Sequence, residues 1–205
     1  MRIGIAQDEA FCFYYYDNLR ELERQGAELI YFSPLDDDLP DVDGLYIGGG
    51  YPELHAARLE ASPARRQIKR ASEDGMPIYG ECGGLMYLGR AIELETGSFE
   101  MVGALPGSTI MTKRLAALGY AQAEVARENP IAGMGKILRG HEFHYSRFSC
   151  DRDAHFAFRL DRGKGIQDGW DGLMENNTVG GYLHAHFYSL SVKYFIDSCR
   201  NYRKK

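Results

Sequence analysis

No apolar run in this chain approaches the roughly 20 residues that a membrane span requires, and no stretch has the short apolar core of a secretory leader. Cysteine is sparse. The four residues, Cys12, Cys82, Cys150 and Cys199, have no paired spacing, which argues against a disulfide framework and fits a reducing cytoplasm. Positive charge is not in excess: the net charge is -5, the pI is near 5.7, and Lys and Arg are scattered except in the tail Arg203-Lys204-Lys205. Nucleic acid is therefore not an expected partner. Gly-x-x-x-x-Gly-Lys-Ser/Thr occurs nowhere, so a phosphate loop is excluded, and neither an internal repeat nor a low-complexity segment is present. What is there is an ordinary globular composition, 44% hydrophobic and 26% charged over 205 residues. That is enough for one core, and residues 1–205 are expected to form one domain.

The organising stretch runs from Pro77 to Leu88. A short apolar strand (Pro77 to Tyr79) leads into Gly80-Glu81-Cys82-Gly83-Gly84, and Leu85, Met86 and Leu88 then open a helical apolar face. This is a strand, a tight turn and a helix with a thiol at the bend, as in a nucleophile elbow. A cysteine there sits near the positive end of a helix, which favours the thiolate. Most cysteines are inert core; Cys12, Cys150 and Cys199 are read that way, and Cys82 is the candidate nucleophile.

Upstream, Ile3 to Ala6 reads as a strand, Tyr14 to Gln25 as a helix stopped by Gly26, and Ala27 to Phe32 as a second strand. This β-α-β order implies a parallel pair. Asp36-Asp37-Asp38 reads as a solvated turn rather than a metal site, because consecutive aspartates point in different directions. Gly44 to Ile47 is a strand ending in Gly48-Gly49-Gly50, followed by Tyr51-Pro52-Glu53. These glycines are either a plain turn or an oxyanion hole that brings backbone N–H groups to a ligand. A helix is expected over Glu53 to Glu73. In an open parallel sheet, Gly48 to Gly50 and Cys82 would lie together at the carboxyl ends of successive strands.

From Gly97 the pattern changes to short strands between turns: Glu100 to Ala104, Gly107 to Thr112, Gly119 to Arg127 and Ile137 to Phe148. The back half is thus expected to add antiparallel strands to a parallel core. Arg139-Gly140-His141-Glu142-Phe143-His144-Tyr145-Ser146 carries two histidines and a carboxylate. His-x-x-His on a strand points its rings to opposite faces and is a poor chelator. A hairpin around Asn176-Asn177 leads to Tyr182-Leu183-His184-Ala185-His186-Phe187. His184 and His186 would share a face if the strand continued; they are either half of a zinc site or the source of a general base for Cys82. Tyr188 to Tyr202, with Leu190 in its apolar content, is the expected closing helix.

Gly80-Glu81-Cys82-Gly83-Gly84-Leu85-Met86, Gly48-Gly49-Gly50-Tyr51-Pro52-Glu53, the His141 to Ser146 stretch and Tyr182 to Phe187 together resemble the C-terminal glutaminase domain of the cobyrinic acid a,c-diamide synthases and their nickel-sirohydrochlorin relatives. The likeness runs from about Arg2 to Tyr202. It implies an α/β, flavodoxin-like class I (triad-type) glutamine amidotransferase fold: a mostly parallel sheet flanked by helices, with antiparallel strands added in the C-terminal half. It also implies that Cys82 attacks the amide of L-glutamine and that His184 activates the thiol. Gly49, Gly50, Tyr51 and Gly83 would form the oxyanion hole and glutamine pocket, with His186, His144 and Glu142 as accessory candidates and no metal. The ammonia would amidate acetate side chains of a corrin-like tetrapyrrole.

Three departures limit this transfer. Met86 stands where ordinary class I members carry glutamine, so the substrate is held partly by other groups. His184 is followed by Ala185-His186 rather than Pro-Glu, so a Cys-His dyad or another orienting group is expected. The family's full synthases also carry an N-terminal ATP-dependent amidoligase domain with a phosphate loop, which this chain lacks. The expectation is an excised domain or a separate subunit that has no cofactor itself, with ATP, Mg2+ and the macrocycle bound mainly by the partner. The Phe11 to Tyr16 segment is a candidate docking surface. Alternatives are a cobyric acid synthase type glutaminase or that of another amidoligase, a stand-alone cysteine hydrolase, and a non-catalytic partner-binding module.

Overall fold

A computed structural model describes residues 1–189 and 192–203. The first half contains β1 (Arg2–Ala6), β2 (Phe11–Phe13), α1 (Tyr16–Arg24), β3 (Glu28–Phe32), β4 (Gly44–Ile47), β5 (Gly49–Gly50), α2 (Ala56–Ala61), α3 (Pro63–Glu73), β6 (Ile78–Glu81) and α4 (Gly83–Leu88). The helix expected over Glu53 to Glu73 is broken. A 3-10 turn fills Pro52–His55, and Ser62, whose Oγ accepts from the Ala64 N–H at 3.2 Å, caps a new helix that starts at Pro63. Proline holds the residue before it in extended geometry, so a helix ends there.

The second half adds β7 (Ala91–Leu94), β8 (Gly97–Glu100), β9 (Gly107–Met111), β10 (Ala117–Val125), β11 (Ile137–His144), β12 (Ser146–Cys150), β13 (His155–Arg162), β14 (Trp170–Glu175), β15 (Thr178–Gly181), β16 (His184–Ala185) and α5 (Lys193–Arg203). β7 and β13 were not anticipated. Glu100 to Ala104 is not a strand, because β8 ends at Glu100, and the expected run from Ile137 to Phe148 divides at Tyr145. The closing helix starts later than expected, at Lys193; Leu190, Lys204 and Lys205 lie outside the described residues. The three aspartates diverge as expected: Asp36 pairs with Arg58 at 2.9 Å, Asp37 accepts from the Ser33 N–H at 2.7 Å and Asp38 from Gln67 at 2.8 Å.

Ten strands form one sheet in the order β16-β11-β10-β13-β14-β15-β6-β4-β1-β3. From β3 through β1, β4 and β6 to β15 the pairs are parallel, and from β15 outward they are antiparallel. Both faces are covered. Ile3, Ile5, Tyr46 and Tyr79 pack with Leu22 of α1 and Phe195, Ile196 and Cys199 of α5, while Leu45, Ile47 and Ile78 pack with Leu59, Ile68, Leu85 and Leu88 of α2 to α4. Alternate residues of one strand therefore serve two apolar layers, as a doubly covered sheet requires. No helix among the described residues is long and apolar enough to cross a membrane.

The antiparallel half decides where the site forms. Tyr182 and Leu183 alone separate β15 in the middle of the sheet from β16 at its edge. Three residue steps span at most about 11 Å, so the sheet must curl until its edge lies beside the end of β6. The Ala185 N–H, donating to Glu81 Oε1 at 3.0 Å, fastens that closure.

Candidate active site

Cys82 occupies the bend between β6 and α4 with φ 49° and ψ -97°. This conformation is sparsely populated for an L residue and costs roughly 1–3 kcal/mol. Hydrogen bonds hold it: Cys82 N–H donates to Gly181 O at 2.7 Å, Gly84 N–H to Gly48 O at 3.0 Å and Met86 N–H to Cys82 O at 3.0 Å. Two glycines permit the close approaches. A Cβ on Gly83 would lie 2.9 Å from Gly50 N, and one on Gly49 would lie 2.5 Å from Cε1 and 3.4 Å from Nε2 of His184. The glycine loop thus lies close against the turn at Cys82 on one side and the Cε1–Nε2 edge of the imidazole on the other. β2 pins that loop by pairing Phe11 with Gly50 and Phe13 with Gly49.

Cys82 and His184 line one cavity of about 150 Å³, together with Gly50, Tyr51, Glu53, Met86, His141 and Phe143. His184 is 4% exposed. Its ring stacks on His141 with centroids 4.6 Å apart and planes 7° apart, and the edge of Phe13 meets it at 5.1 Å. His141 Nδ1 in turn shares a 2.6 Å hydrogen bond with the Tyr15 hydroxyl. The imidazole is therefore held as a plate between two other rings.

Beneath it lies Glu81, 1% exposed. Its carboxylate accepts from Tyr46 Oη at 2.7 Å and Tyr79 Oη at 2.7 Å as well as from Ala185 N–H, and its Oε2 is 4.0 Å from His184 Nδ1. Glu81 was not singled out from the sequence as a site residue, and His141 only as one of two histidines on its strand, one of which was expected to face the site. Glu81 stands beside the nucleophile in the chain, but its contact with His184 arises only through the curl of the sheet.

The resting pair is neutral, contrary to the thiolate expected from the helix terminus. Burial pushes the Cys82 thiol up to about 12, reinforced by the nearby Glu53 carboxylate and only partly opposed by the Gly83 N–H. Burial likewise pushes His184 down to about 3, with His141 and His144 adding to the shift. The thiol donates to Phe143 O at 3.7 Å. A six-residue helix beneath a dry sulfur supplies too little positive potential to offset desolvation. Alkylation of Cys82 by iodoacetamide is accordingly expected to rise about tenfold per pH unit from 7 to 10, because reaction follows the scarce thiolate. Mass spectrometry of the labelled peptide checks this; a plateau below pH 8 would mean a thiolate-imidazolium pair instead.

The remaining candidates separate. The Tyr51 N–H donates to Ala10 O at 2.9 Å and is unavailable to an oxyanion, although the residue lines the cavity. Gly50 N, 2.9 Å from where a Gly83 Cβ would sit, and the Gly83 N–H beside the sulfur are the candidate donors that lie at the elbow. His144 also borders the cavity, but its ring stacks on Tyr182, centroids 3.6 Å apart, while that of His141 stacks on His184, so the two imidazoles of this His-x-x-His pair have different partners. His144 Nδ1 is 2.8 Å from Ser146 O. Glu142 instead accepts from the Lys164 and Gly165 N–H groups at 2.8 and 2.7 Å and has a structural role. His186 lies 4.0 Å from Asp17 and packs at a tilt against the Tyr15 ring, centroids 4.9 Å apart; β16 stops at Ala185, so His184 and His186 form no half-site. Cys199 is core, but Cys12 is exposed at the cavity rim, against expectation, and Cys150 is half-buried. In the Phe11 to Tyr16 segment Phe11 is buried, while Phe13 and Tyr16 are exposed.

Residues 2–191 match the CobB/CobQ-like glutamine amidotransferase domain family. A cobyrinate a,c-diamide synthase of Methanosarcina barkeri is 46% identical over 98% of this chain and 44% of its own length. One from Methanosarcina acetivorans is 51% identical over 90% of the chain and 40% of its own length. The chain thus spans less than half the length of these relatives. Among solved structures, PurLQS from Thermotoga maritima superposes with a TM-score of 0.70 at 18% identity, covering 98% of both chains. A glutamine amidotransferase from the same organism gives 0.58 at 15% identity, covering 99% of this chain and 82% of that one.

Proposed function

The chain belongs to the CobB/CobQ-like glutamine amidotransferase domain family, and on that premise we propose that it is a glutaminase supplying ammonia to an ATP-dependent amidoligase. The observation that carries this reading is the buried Cys82, held at a strained elbow in one cavity with His184. Cys82 gives its proton to His184 Nε2 and its sulfur attacks the side-chain amide carbon of L-glutamine. Gly50 and Gly83 N–H groups receive the oxyanion. The C–N bond then breaks, ammonia leaves with the proton from Nε2, and water releases glutamate from the thioester. Burial favours the neutral forms of both thiol and imidazole before the transfer.

The acceptor proposed is a corrin-like tetrapyrrole of the cobyrinic acid or nickel-sirohydrochlorin type, amidated at its a and c acetates by the neighbouring amidoligase in the cytoplasm. ATP and Mg2+ belong to that partner, since no phosphate loop is present here. Exposed Phe13 and Tyr16, with Phe143 and Tyr145 near the cavity, suit a docking face.

Glu53 is the carboxylate of this cavity, and burial raises its pKa. We assign it to the α-ammonium of glutamine, a contact that compensates for Met86 where a polar residue would otherwise hold the substrate. The test is ammonia release from glutamine by wild type and Glu53→Gln. Wild type is expected to turn over glutamine, and the variant to show a KM raised on the order of tenfold with kcat within threefold, as for loss of one uniform charge contact. No release by wild type, alone or with amidoligase and tetrapyrrole, would defeat the reading.

A further inference from the structure

Among the described residues, His184 Nδ1 is buried without a hydrogen-bond partner. Glu81 Oε2 stands 4.0 Å away, and a movement of about 1 Å would make the hydrogen bond. To take the thiol's proton on Nε2, the imidazole must carry its own proton on Nδ1, and that N–H needs an acceptor in a dry site. We propose that Glu81 is the positioning residue of this site, accepting a hydrogen bond from His184 Nδ1–H when Cys82 transfers its proton. The inference rests on the glutaminase reading and completes it, in place of a carboxylate following the histidine in sequence.

The carboxylate is well prepared for this. Two phenols and the Ala185 N–H fix its plane, while Oε2 accepts from Tyr46 and still faces the imidazole. The titratable groups around it are Tyr46 on β4, Tyr79 and Cys82 at β6, His184 on β16, and Tyr14 and Tyr15 before α1. No cation is among them. Burial accordingly holds the carboxyl up to about 7, opposed by its three hydrogen bonds. The carboxylate, needed to stabilise an imidazolium, becomes available as pH rises through that value. A proton passes from Cys82 Sγ to His184 Nε2 and on to the departing ammonia; Glu81 gains none.

The experiment compares wild type, Glu81→Gln and Tyr46→Phe. The glutamine amide keeps an acceptor for the Ala185 N–H but presents a donor toward Nδ1, which moves the imidazole proton to Nε2. Long-range 1H–15N spectra are expected to place the His184 proton on Nδ1 in wild type and on Nε2 in Glu81→Gln, with kcat lower on the order of 10²- to 10⁴-fold and KM within threefold. Removing the Tyr46 phenol takes a donor from the carboxylate and is expected to move the acid limb of kcat/KM to higher pH, a shift that a scaffold role would not produce. An unchanged tautomer in Glu81→Gln overturns the proposal even if activity falls. Should that variant fail to fold, an acid limb unmoved in Tyr46→Phe overturns it. The tautomer is read without turnover, so inactive wild type would sink the glutaminase reading and leave this test standing.

Discussion

Cys82→Ala is expected to reduce ammonia release from glutamine to background, a loss of at least about 10⁴-fold, since no other group here forms the thioester. Cys12, exposed at the rim, lies off the elbow and does not substitute. Alanine keeps a Cβ in the strained conformation and opens only a small void, so melting should stay within a few degrees of wild type. In the presence of the complete amidoligase, amidation driven by added ammonium salt is expected to survive while the glutamine-driven reaction is lost. That contrast separates a missing nucleophile from a damaged fold.

The second large effect is at His184. Without a base, the thiol pushed up to about 12 must ionise to solvent, so His184→Asn should lose on the order of 10²- to 10⁴-fold in kcat near neutral pH. The sign of the remaining pH dependence follows. A raised thiol pKa means that the reactive form increases with pH, and the variant's log rate should climb by about one per pH unit up to pH 10 without levelling. A deficit constant across pH would instead indicate that His184 shapes the pocket.

The elbow at Cys82 was legible because its signals are local. A strand, a glycine-flanked Cys82 and a helical apolar run occupy twelve consecutive positions, Pro77 to Leu88, and the elbow follows from them. The parallel half was legible for the same reason. His184 needed the family resemblance, because its nearness to Cys82 depends on β16 returning across a curled sheet. Glu81 was not legible as a site residue: strand alternation says only that it is buried, and its partners come from two distant places in the chain, Tyr46 on β4 and His184-Ala185 on β16. The raised thiol pKa was not legible, because helix position is visible in sequence, whereas the depth of burial at Cys82 is not. The break at Ser62-Pro63, by contrast, was written in the residues.

The central claim is a covalent γ-glutamyl thioester on Cys82, and its most direct test is an acid quench of the protein with glutamine, amidoligase and tetrapyrrole, followed by mass spectrometry of the peptides. A γ-glutamyl adduct on the peptide carrying Cys82, building up within the first turnover and absent in Cys82→Ala, is the expected result. Ammonia release with no adduct on Cys82, or with the adduct on Cys12, would contradict the account.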